Sequence, residues 1–315
     1  MTAYYTHPDC RKHEMGPGHP ECPERLDAIE DRLLISGVGD ALDRREAPIA
    51  PLTDLELAHG RMHVASIRGL SDGLLDEIQA GGPTHAQVDP DTSLNIHTWN
   101  AALRAAGAVI AATDAVIAGE IENAFCAVRP PGHHASRDKA GGFCFFNNVA
   151  IAAKYAVERH GLKRVAIIDF DVHHGNGTED IVAGDSRFLM ASFYQHPFYP
   201  LDYVHSTADN LVNVPVPAYT KGMAVRELVE TQWVPRLDAF KPEMIFISAG
   251  FDAHREDDMG QMGLVEQDYA WITQQLKAVA VRHAKGRIVS CLEGGYALSA
   301  LARSVEAHIR VLADV

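Results

Sequence analysis

The stretch DFDVHHGNG, residues 169–177, places two carboxylates and two imidazoles directly after the apolar run RVAIIDF. Asp171 and His173 are two positions apart, so near the end of a strand their side chains can point the same way and share a cation. Asp252, in the segment SAGFDAH, supplies a third ligand. Two oxygens and one nitrogen suit Zn²⁺ or Fe²⁺, and three protein ligands leave a position open for water and substrate, as in catalytic metal sites.

Other polar residues supply the remaining parts of a hydrolytic site. His133 and His134 are adjacent in RPPGHH, and a histidine pair can take and return protons. Tyr296, in LEGGY, carries a hydroxyl that can hydrogen-bond a developing oxyanion. Zinc lowers the pKa of bound water to about 7 and polarises a carbonyl. Together these groups predict hydrolysis of an amide.

Short apolar runs, several rich in Val and Ile, alternate with longer segments that have helical signals. This composition is typical of strands buried on both faces of a parallel sheet, and the alternation predicts an α/β fold. The predicted strands are 124–128, 164–169, 188–192, 244–248 and 287–292. The predicted helices are 222–240, 266–284, 297–313 and the segment NNVAIAAKYAVERHG, with Asn147 or Asn148 as N-cap and Gly161 as the stop.

The polar residues follow the ends of four predicted strands. Ligands of open α/β sheets bind outside the carboxyl ends of the strands, so the pattern brings distant residues to one edge. A structural role is favoured for His19, His59 and His63, and the acidic segment REDDMG is predicted to be a solvated loop. At least two of the three phenylalanines in GGFCFFNN are expected in the core.

Length and composition restrict the remaining function classes. The chain has 315 residues, a formal charge of -14 and five cysteines without a C-x-x-C pair. The acidity disfavours nucleic-acid binding, and the odd cysteine count predicts a reducing, cytoplasmic setting. Neither a signal peptide nor a membrane span is predicted, and the apolar segment 99–119 is interpreted as a core helix. Residues 1–315 are predicted to form one catalytic domain.

The segments RPPGHHA, GGFCFFNN, DFDVHHGNGT, SAGFDAH and LEGGY, in this order, resemble the histone deacetylase family of the arginase/deacetylase fold. HPECPERL near the start resembles the first loop of that family, and LEGGY and HHGNG resemble its class II branch and the bacterial deacetylase-like amidohydrolases. The resemblance implies a mainly parallel sheet of about eight strands with helices on both faces. It also implies one zinc ion at the bottom of a narrow tunnel.

The resemblance implies a role for each residue of the motifs. Asp171, His173 and Asp252 would bind zinc, and His134 would be the general base that activates water and then protonates the leaving amine. His133, next to Asp169, would be the electrostatic or acid partner. Tyr296 would polarise the acetyl carbonyl, and Asn176 would orient His134.

It also implies substrate contacts and a second cation. Phe143 and Tyr199 would flank the methylene chain of the substrate, and the Gly142 carbonyl would accept from the substrate amide. A potassium ion would be held by the backbone oxygens of Asp169, Asp171, His173 and Phe193 with the Ser192 hydroxyl. Arg25 would face an inner cavity where acetate leaves.

Two other functions compete with a deacetylase. A ureohydrolase of the same fold would need two manganese ions, but Gly175 and His254 stand where it has aspartates. A non-catalytic acyl-lysine binder would not need the histidine pair and Tyr296. Among deacetylase substrates, protein acetyl-lysine, acetylpolyamines and small acylamides stay open: Met259 stands where the polyamine-specific branch has Glu, with Asp257 and Asp258 close by. The chain is compatible with a homo-oligomer.

Overall fold

Eight strands form one parallel sheet, and two more form a small antiparallel hairpin. The structure is a computed structural model that describes residues 1–201 and 206–315. The strands are β1 (Thr2–Thr6), β2 (Asp43–Glu46), β3 (Ala86–Asp89), β4 (Thr92–Leu94), β5 (Asn123–Cys126), β6 (Val165–Asp169), β7 (Phe188–Gln195), β8 (Leu211–Val216), β9 (Met244–Ala249) and β10 (Ile288–Leu292). The large sheet has the order β2-β1-β5-β10-β9-β6-β7-β8, and β3 pairs with β4.

The centre of the sheet consists of strands that the sequence predicts. Every residue of β5, β6, β9 and β10 is buried. Since successive side chains of a strand point to opposite faces, both faces of the sheet must be covered. β1, β2 and β8 were not predicted from the sequence. Of these, β2 and β8 are the edge strands of the sheet. β2 has the sequence DRRE and alternates between half-buried and exposed residues, so it lacks the apolar run that is typical of the central strands.

Ten α-helices connect the described strands. They are α1 (Glu24–Ser36), α2 (Leu52–Leu55), α3 (Arg61–Gln79), α4 (Thr98–Ala118), α5 (Asn148–Glu158), α6 (Asn176–Val182), α7 (Gly222–Leu228), α8 (Val234–Phe240), α9 (Glu266–His283) and α10 (Leu298–Ala313). Short 3₁₀ turns span Pro8–Arg11 and Val38–Ala41. The predicted helix 222–240 is α7 and α8 joined by the π-helical turn Val229–Trp233. Asn147 caps α5 as predicted, because its side chain accepts from the Ala150 N–H.

The helices pack on the sheet in two groups. α4 and α5 contact each other, with α4 against β1, β5 and β10 and α5 against β6 and β9. α10 contacts both α1 and α9, with α9 against β9 and α10 against β5. α4 is the one helix of the described residues that is long and apolar enough to cross a membrane, and 72% of its most apolar stretch is buried inside the protein.

The topology brings the polar loops of the sequence together. β5, β10, β9 and β6 are consecutive neighbours in the middle of the parallel sheet. Their carboxyl ends therefore open onto one edge, where the loops that begin at residues 127, 170, 250 and 293 meet. The predicted α/β fold is confirmed.

Candidate active site

Asp171, His173 and Asp252 form a buried cluster at this edge. The first two follow β6, and Asp252 follows the neighbouring strand β9. His173 Nδ1 lies 3.0 Å from Asp171 Oδ1 and 3.3 Å from Asp252 Oδ2. One potential ligand atom from each residue lies within 4.8 Å of the others, and none of the three side chains is more than 8% exposed. The three predicted metal ligands therefore converge on one point.

The electrostatics of the cluster favour a bound cation. Burial, followed by the negative charge of Asp171, raises the pKa of Asp252 to about 7. Burial alone would lower the pKa of His173, but the carboxylates of Asp171 and Asp252 outweigh this effect and raise the pKa to about 10. Asp252 Oδ2 is buried, and its contact with His173 Nδ1 at 3.3 Å does not have the geometry of a hydrogen bond. Two buried carboxylates with an unsatisfied oxygen and an imidazole nitrogen are a donor set that fits Zn²⁺.

Glycines leave room for this cluster. A Cβ at Gly250 would lie 1.9 Å from Asp171 Oδ2, and a Cβ at Gly294 would lie 1.9 Å from Asp252 Oδ2. The backbone also holds the carboxylates: the Gly294 N–H donates to Asp171 Oδ2 and the Val172 N–H donates to Asp252 Oδ1, each at 2.9 Å. The glycines of SAGFDAH and LEGGY thus leave the space that the side chains of the cluster occupy.

His133 and His134 lie beside the cluster in different environments. His133 Nδ1 is 2.9 Å from Asp169 Oδ2, whereas His134 Nδ1 is 2.7 Å from Asn176 Oδ1. Burial would lower the pKa of His133, but the charges of Asp171 and Asp169 outweigh it and hold this pKa well above the ordinary value. Burial, followed by the charge of His133, holds the pKa of His134 well below the ordinary value. The opposite directions of the two shifts favour a charged His133 beside a neutral His134.

Glu293 supports the histidine loop and was not predicted from the sequence. Its Oε2 accepts from the backbone N–H groups of Gly132, at 2.6 Å, and His133, at 3.1 Å, while Oε1 accepts from Ser248 Oγ at 3.1 Å. The side chain is fully buried, and burial raises its pKa to about 7. In the sequence, Glu293 stands between an apolar run and two glycines. A carboxylate that is buried at such a position needs hydrogen-bond donors, which backbone N–H groups can supply.

A cavity of about 210 Å³ leads from the surface to the cluster. Four residues predicted to contact the substrate line it: Gly142, Phe143, Tyr199 and Met259. The rings of His134 and Tyr199 are 5.0 Å apart, and those of Phe143 and Tyr296 are 5.9 Å apart. The complete lining is Asp91, His134, Gly142, Phe143, His173, Phe198, Tyr199, Asp258, Met259 and Tyr296.

Arg25 lies behind the cavity wall. It is fully buried, its guanidinium carbon is 4.9 Å from the Tyr296 ring centroid, and its Nε donates to the Gly295 carbonyl at 2.7 Å. It also donates to the Glu293 carbonyl and to the Glu21 carboxylate. These contacts fix the turn that carries Tyr296.

Residues of the predicted potassium set lie on neighbouring strands. Ser192 of β7 stands opposite Asp169 of β6 in the strand register, and Phe193 is next to it. Ser192 Oγ donates to Asn213 Oδ1 at 2.9 Å. Asp169 ends β6, and Asp171 and His173 follow it directly. The residues predicted to bind potassium therefore lie close to one another.

Several other predictions fall outside the cavity or need correction. His59 and His63 bond the backbone carbonyls of Ser136 and Phe145, and Phe145 and Phe146 lie in the core. The prediction that REDDMG is a solvated loop is wrong for Asp257, which is 4% exposed and bonded to backbone N–H groups. A turn that folds back on the sheet edge buries this carboxylate, whereas Asp258 is exposed at the cavity mouth.

Comparisons with known proteins show the family to which the chain is similar. Residues 19–312 match the family model described as "Histone deacetylase domain". The chain is 37% identical over 288 residues to a "Histone deacetylase-like amidohydrolase" of Pseudomonas aeruginosa, covering 89% of this chain and 73% of that protein. It is 42% identical over 246 residues to "Type-2 histone deacetylase 2" of Dictyostelium discoideum, covering 71% of this chain and only 14% of that much longer protein.

A solved structure shows the same architecture. The chain superposes on the crystal structure of the "HDA15 HD domain" with a TM-score of 0.91, 32% sequence identity, and coverage of 99% of this chain and 89% of that one. The family model and the Pseudomonas relative both extend over most of the chain. The protein therefore belongs to the histone deacetylase family.

Proposed function

We propose that the protein is a zinc-dependent amidohydrolase that removes acetyl groups from lysine side chains or similar acylated amines. The observation that carries the proposal is the buried Asp171–His173–Asp252 cluster at the floor of a cavity whose wall holds His134 and Tyr296. Relatives named as histone deacetylase-like amidohydrolase and deacetylase support the same reaction class.

Zinc would be held by His173 Nδ1 and by carboxylate oxygens of Asp171 and Asp252. A zinc ion at this place would polarise the substrate carbonyl and lower the pKa of water. Among residues 1–201 and 206–315, this is the one buried cluster of three such ligands. Gly175 and His254, which stand where a ureohydrolase has metal-binding aspartates, leave the donor set suited to a single ion.

His134 is the general base in this proposal. Asn176 Oδ1 accepts a hydrogen bond from Nδ1 at 2.7 Å, so a neutral His134 carries its proton on Nδ1 and keeps a lone pair on Nε2. Its lowered pKa keeps the ring neutral and ready to take a proton from water. His134 later returns that proton to the leaving amine. The charged His133 beside it stabilises negative charge that develops during attack.

Tyr296 and the cavity walls would orient the acetamide. The Tyr296 hydroxyl donates to the carbonyl oxygen, most strongly when that oxygen becomes negative. Phe143 and Tyr199 enclose the methylene chain, and the Gly142 carbonyl accepts from the substrate amide. A narrow apolar channel with few polar groups at its end suits an acetylated alkylamine.

A potassium ion is proposed behind the zinc ligands. It would be held by the backbone oxygens of Asp169, Asp171, His173 and Phe193 and by the Ser192 hydroxyl. The register pairing of Asp169 with Ser192 supports this assignment, because it places donors from β6 and β7 side by side. This ion would stiffen the loop that carries the zinc ligands.

The test is metal stoichiometry together with turnover. Purified protein is expected to contain about one zinc per chain, to hydrolyse an acetyl-lysine peptide, and to lose activity to a chelator and regain it with zinc. Two manganese ions per chain at full activity would indicate a ureohydrolase. Tight binding of acetyl-lysine without turnover by the zinc-loaded protein would indicate an acyl-lysine binder.

A further inference from the structure

Asp257 lies outside every role assigned above, yet its carboxylate is fully engaged. Its Oδ2 accepts from the backbone N–H of Tyr296 at 2.6 Å and from that of Ala297 at 2.9 Å. Its Oδ1 accepts from the Met259 N–H at 3.0 Å. Hydrogen bonds to a charged acceptor are the stronger kind, and a buried carboxylate needs such donors.

These bonds join two loops that line the cavity. Met259 and the exposed Asp258 belong to the loop after β9, and Tyr296 belongs to the loop after β10. The turn before Tyr296 is Gly294–Gly295, and Gly295 has a φ of +117°, which side-chain-bearing residues rarely adopt. A glycine turn does not fix the direction of the next residue by itself. Contacts from outside the turn must therefore orient Tyr296.

Two buried side chains provide these contacts from opposite sides. Arg25 binds the turn through the carbonyls of Glu293 and Gly295. Asp257 binds it through the N–H groups of Tyr296 and Ala297, just before α10 begins. Since no side chain of α10 itself caps its N-terminus, the carboxylate also satisfies donors at the start of that helix.

We propose that Asp257 is a positioning residue for Tyr296, and that its carboxylate sets the place of the tyrosine hydroxyl relative to the substrate carbonyl. The proposal rests on the carbonyl-polarising role of Tyr296 given above. Asp257 does not touch the substrate. Asp257 is buried and does not line the cavity, so it is not placed to contact a charged group of the substrate.

The test is Asp257→Asn in the zinc-loaded protein, with Glu256→Gln as the matched control. Asparagine keeps the shape but has one acceptor oxygen, and its NH₂ group would face backbone N–H donors. Misplacing a catalytic group by about 1 Å can reduce the rate about 10²-fold. We expect kcat on a neutral acetyl-lysine substrate to fall roughly 10–100-fold with KM and zinc content nearly unchanged. Glu256→Gln removes an exposed carboxylate that is one residue away and does not line the cavity, and it should keep kcat within about twofold.

A double-mutant cycle separates positioning from general damage. If Asp257 acts through the tyrosine hydroxyl, Asp257→Asn should reduce kcat no more than about threefold in a Tyr296→Phe background. Multiplicative losses in the double variant, or a wild-type kcat in Asp257→Asn, would overturn the proposal. If Asp257→Asn does not fold, judged by melting temperature and zinc content, Asp257→Glu takes its place in the same cycle. A wild-type kcat in Tyr296→Phe alone would instead refute the role of Tyr296 in the proposed function.

Discussion

The two adjacent histidines show how single contacts differentiate identical side chains. A carboxylate accepts from His133 Nδ1 and an amide oxygen accepts from His134 Nδ1, at nearly equal distances of 2.9 and 2.7 Å. The carboxylate contributes a full charge that favours the imidazolium, whereas the amide oxygen orients His134 and raises its pKa less than burial and the charge of His133 lower it. Opposite pKa shifts in neighbouring groups are the usual sign of an acid and a base. The proposed role of His134 as base therefore rests on its burial beside His133, with Asn176 fixing the orientation of the ring.

Tyr296→Phe is expected to retain zinc and fold while losing turnover. The change deletes one hydroxyl from the cavity wall and leaves the ring that packs on Phe143 and Arg25. Loss of an oxyanion donor reduces kcat about 10²–10³-fold, and the effect should fall on kcat rather than KM. Steady-state kinetics on an acetyl-lysine peptide measure it. Tyr199→Phe, which removes the other tyrosine hydroxyl of the cavity, should change kcat by no more than a few-fold; equal losses in both variants would contradict a specific role for Tyr296.

Asp252→Ala is expected to release the metal. Only Asp171 and His173 would remain as protein ligands, and two ligands hold zinc poorly. Zinc content after dialysis should fall well below one per chain, while the control Asp258→Ala, in the same loop but exposed, should keep it. Stoichiometric zinc in Asp252→Ala would show that the ligand set is wrong.

At the residue scale, the sequence predicts side chains that end strands better than side chains that hold loops. Asp171, His173 and Asp252 could be placed together because parallel strands deliver their carboxyl ends to one edge. Asp257 could not, because its role depends on which backbone N–H groups face it after folding. A carboxylate in a loop is usually solvated, and only the tertiary fold decides otherwise.

At the element scale, strands were predictable where they are buried on both faces. β6, β9 and β10 read as apolar runs, so their existence and their parallel direction follow from composition and alternation, whereas their order in the sheet does not. β2 is exposed at the sheet edge and carries DRRE, and no local pattern separates it from a loop. The π-helical turn Val229–Trp233 lies in a segment that the sequence predicts only as helical. Residue types in a single turn do not distinguish i→i+5 hydrogen bonds from those of an α-helix.

Gly294→Ala is expected to weaken the metal site without changing the fold. Gly294 lies in the loop after β10, and a Cβ there would come 1.9 Å from Asp252 Oδ2 and 2.6 Å from Asp171 Oδ2. Those atoms are the proposed ligands, so the added methyl group must displace them. Changes next to metal ligands typically reduce affinity about 10–100-fold, and a zinc competition titration should show a loss of at least this order.

The matched control for this glycine is Gly69→Ala in α3. A Cβ at Gly69 meets nothing within 4 Å, and the residue is exposed. Alanine in a helix interior is about 0.5–1 kcal/mol more stable than glycine, so thermal unfolding should shift upward and zinc affinity should stay unchanged. Unchanged zinc affinity in Gly294→Ala would mean that the cation does not sit between these carboxylates.

At the scale of the whole molecule, acidity and fold restrict the function without choosing the substrate. The net charge of -14 disfavours binding to a polyanion, and the five cysteines are free, as the odd count predicts. The match to the family model spans residues 19–312, which is nearly the whole chain. We expect substrate choice to depend on a few residues that line the cavity, namely Asp91, Asp258 and Met259.

The substrate prediction follows from these three residues. We expect the enzyme to prefer acetyl-lysine-like or small neutral acylamides over long acetylpolyamines, because the Met259 thioether cannot pair with a secondary ammonium. Asp91 and Asp258 are exposed, and an exposed ion pair contributes only about 0–1 kcal/mol. Asp257 does not compensate, since its oxygens bind backbone N–H groups. The measurement is kcat/KM for acetylspermidine against an acetyl-lysine peptide. A preference of wild type for acetylspermidine of tenfold or more, about 1.4 kcal/mol, would contradict the prediction and identify the exposed carboxylates as readers.

Met259→Glu tests the same position by gain of function. Met259 is partly buried against the cavity wall, so a carboxylate there would be screened less than Asp258. We expect the ratio of kcat/KM values to shift toward acetylspermidine by about tenfold, which corresponds to about 1.4 kcal/mol. Met259→Gln is the control, because it has nearly the same shape as Glu but no charge. Equal shifts in the Glu and Gln variants would attribute the effect to polarity or packing at the mouth. If a charge is read, the shift should become smaller at high salt.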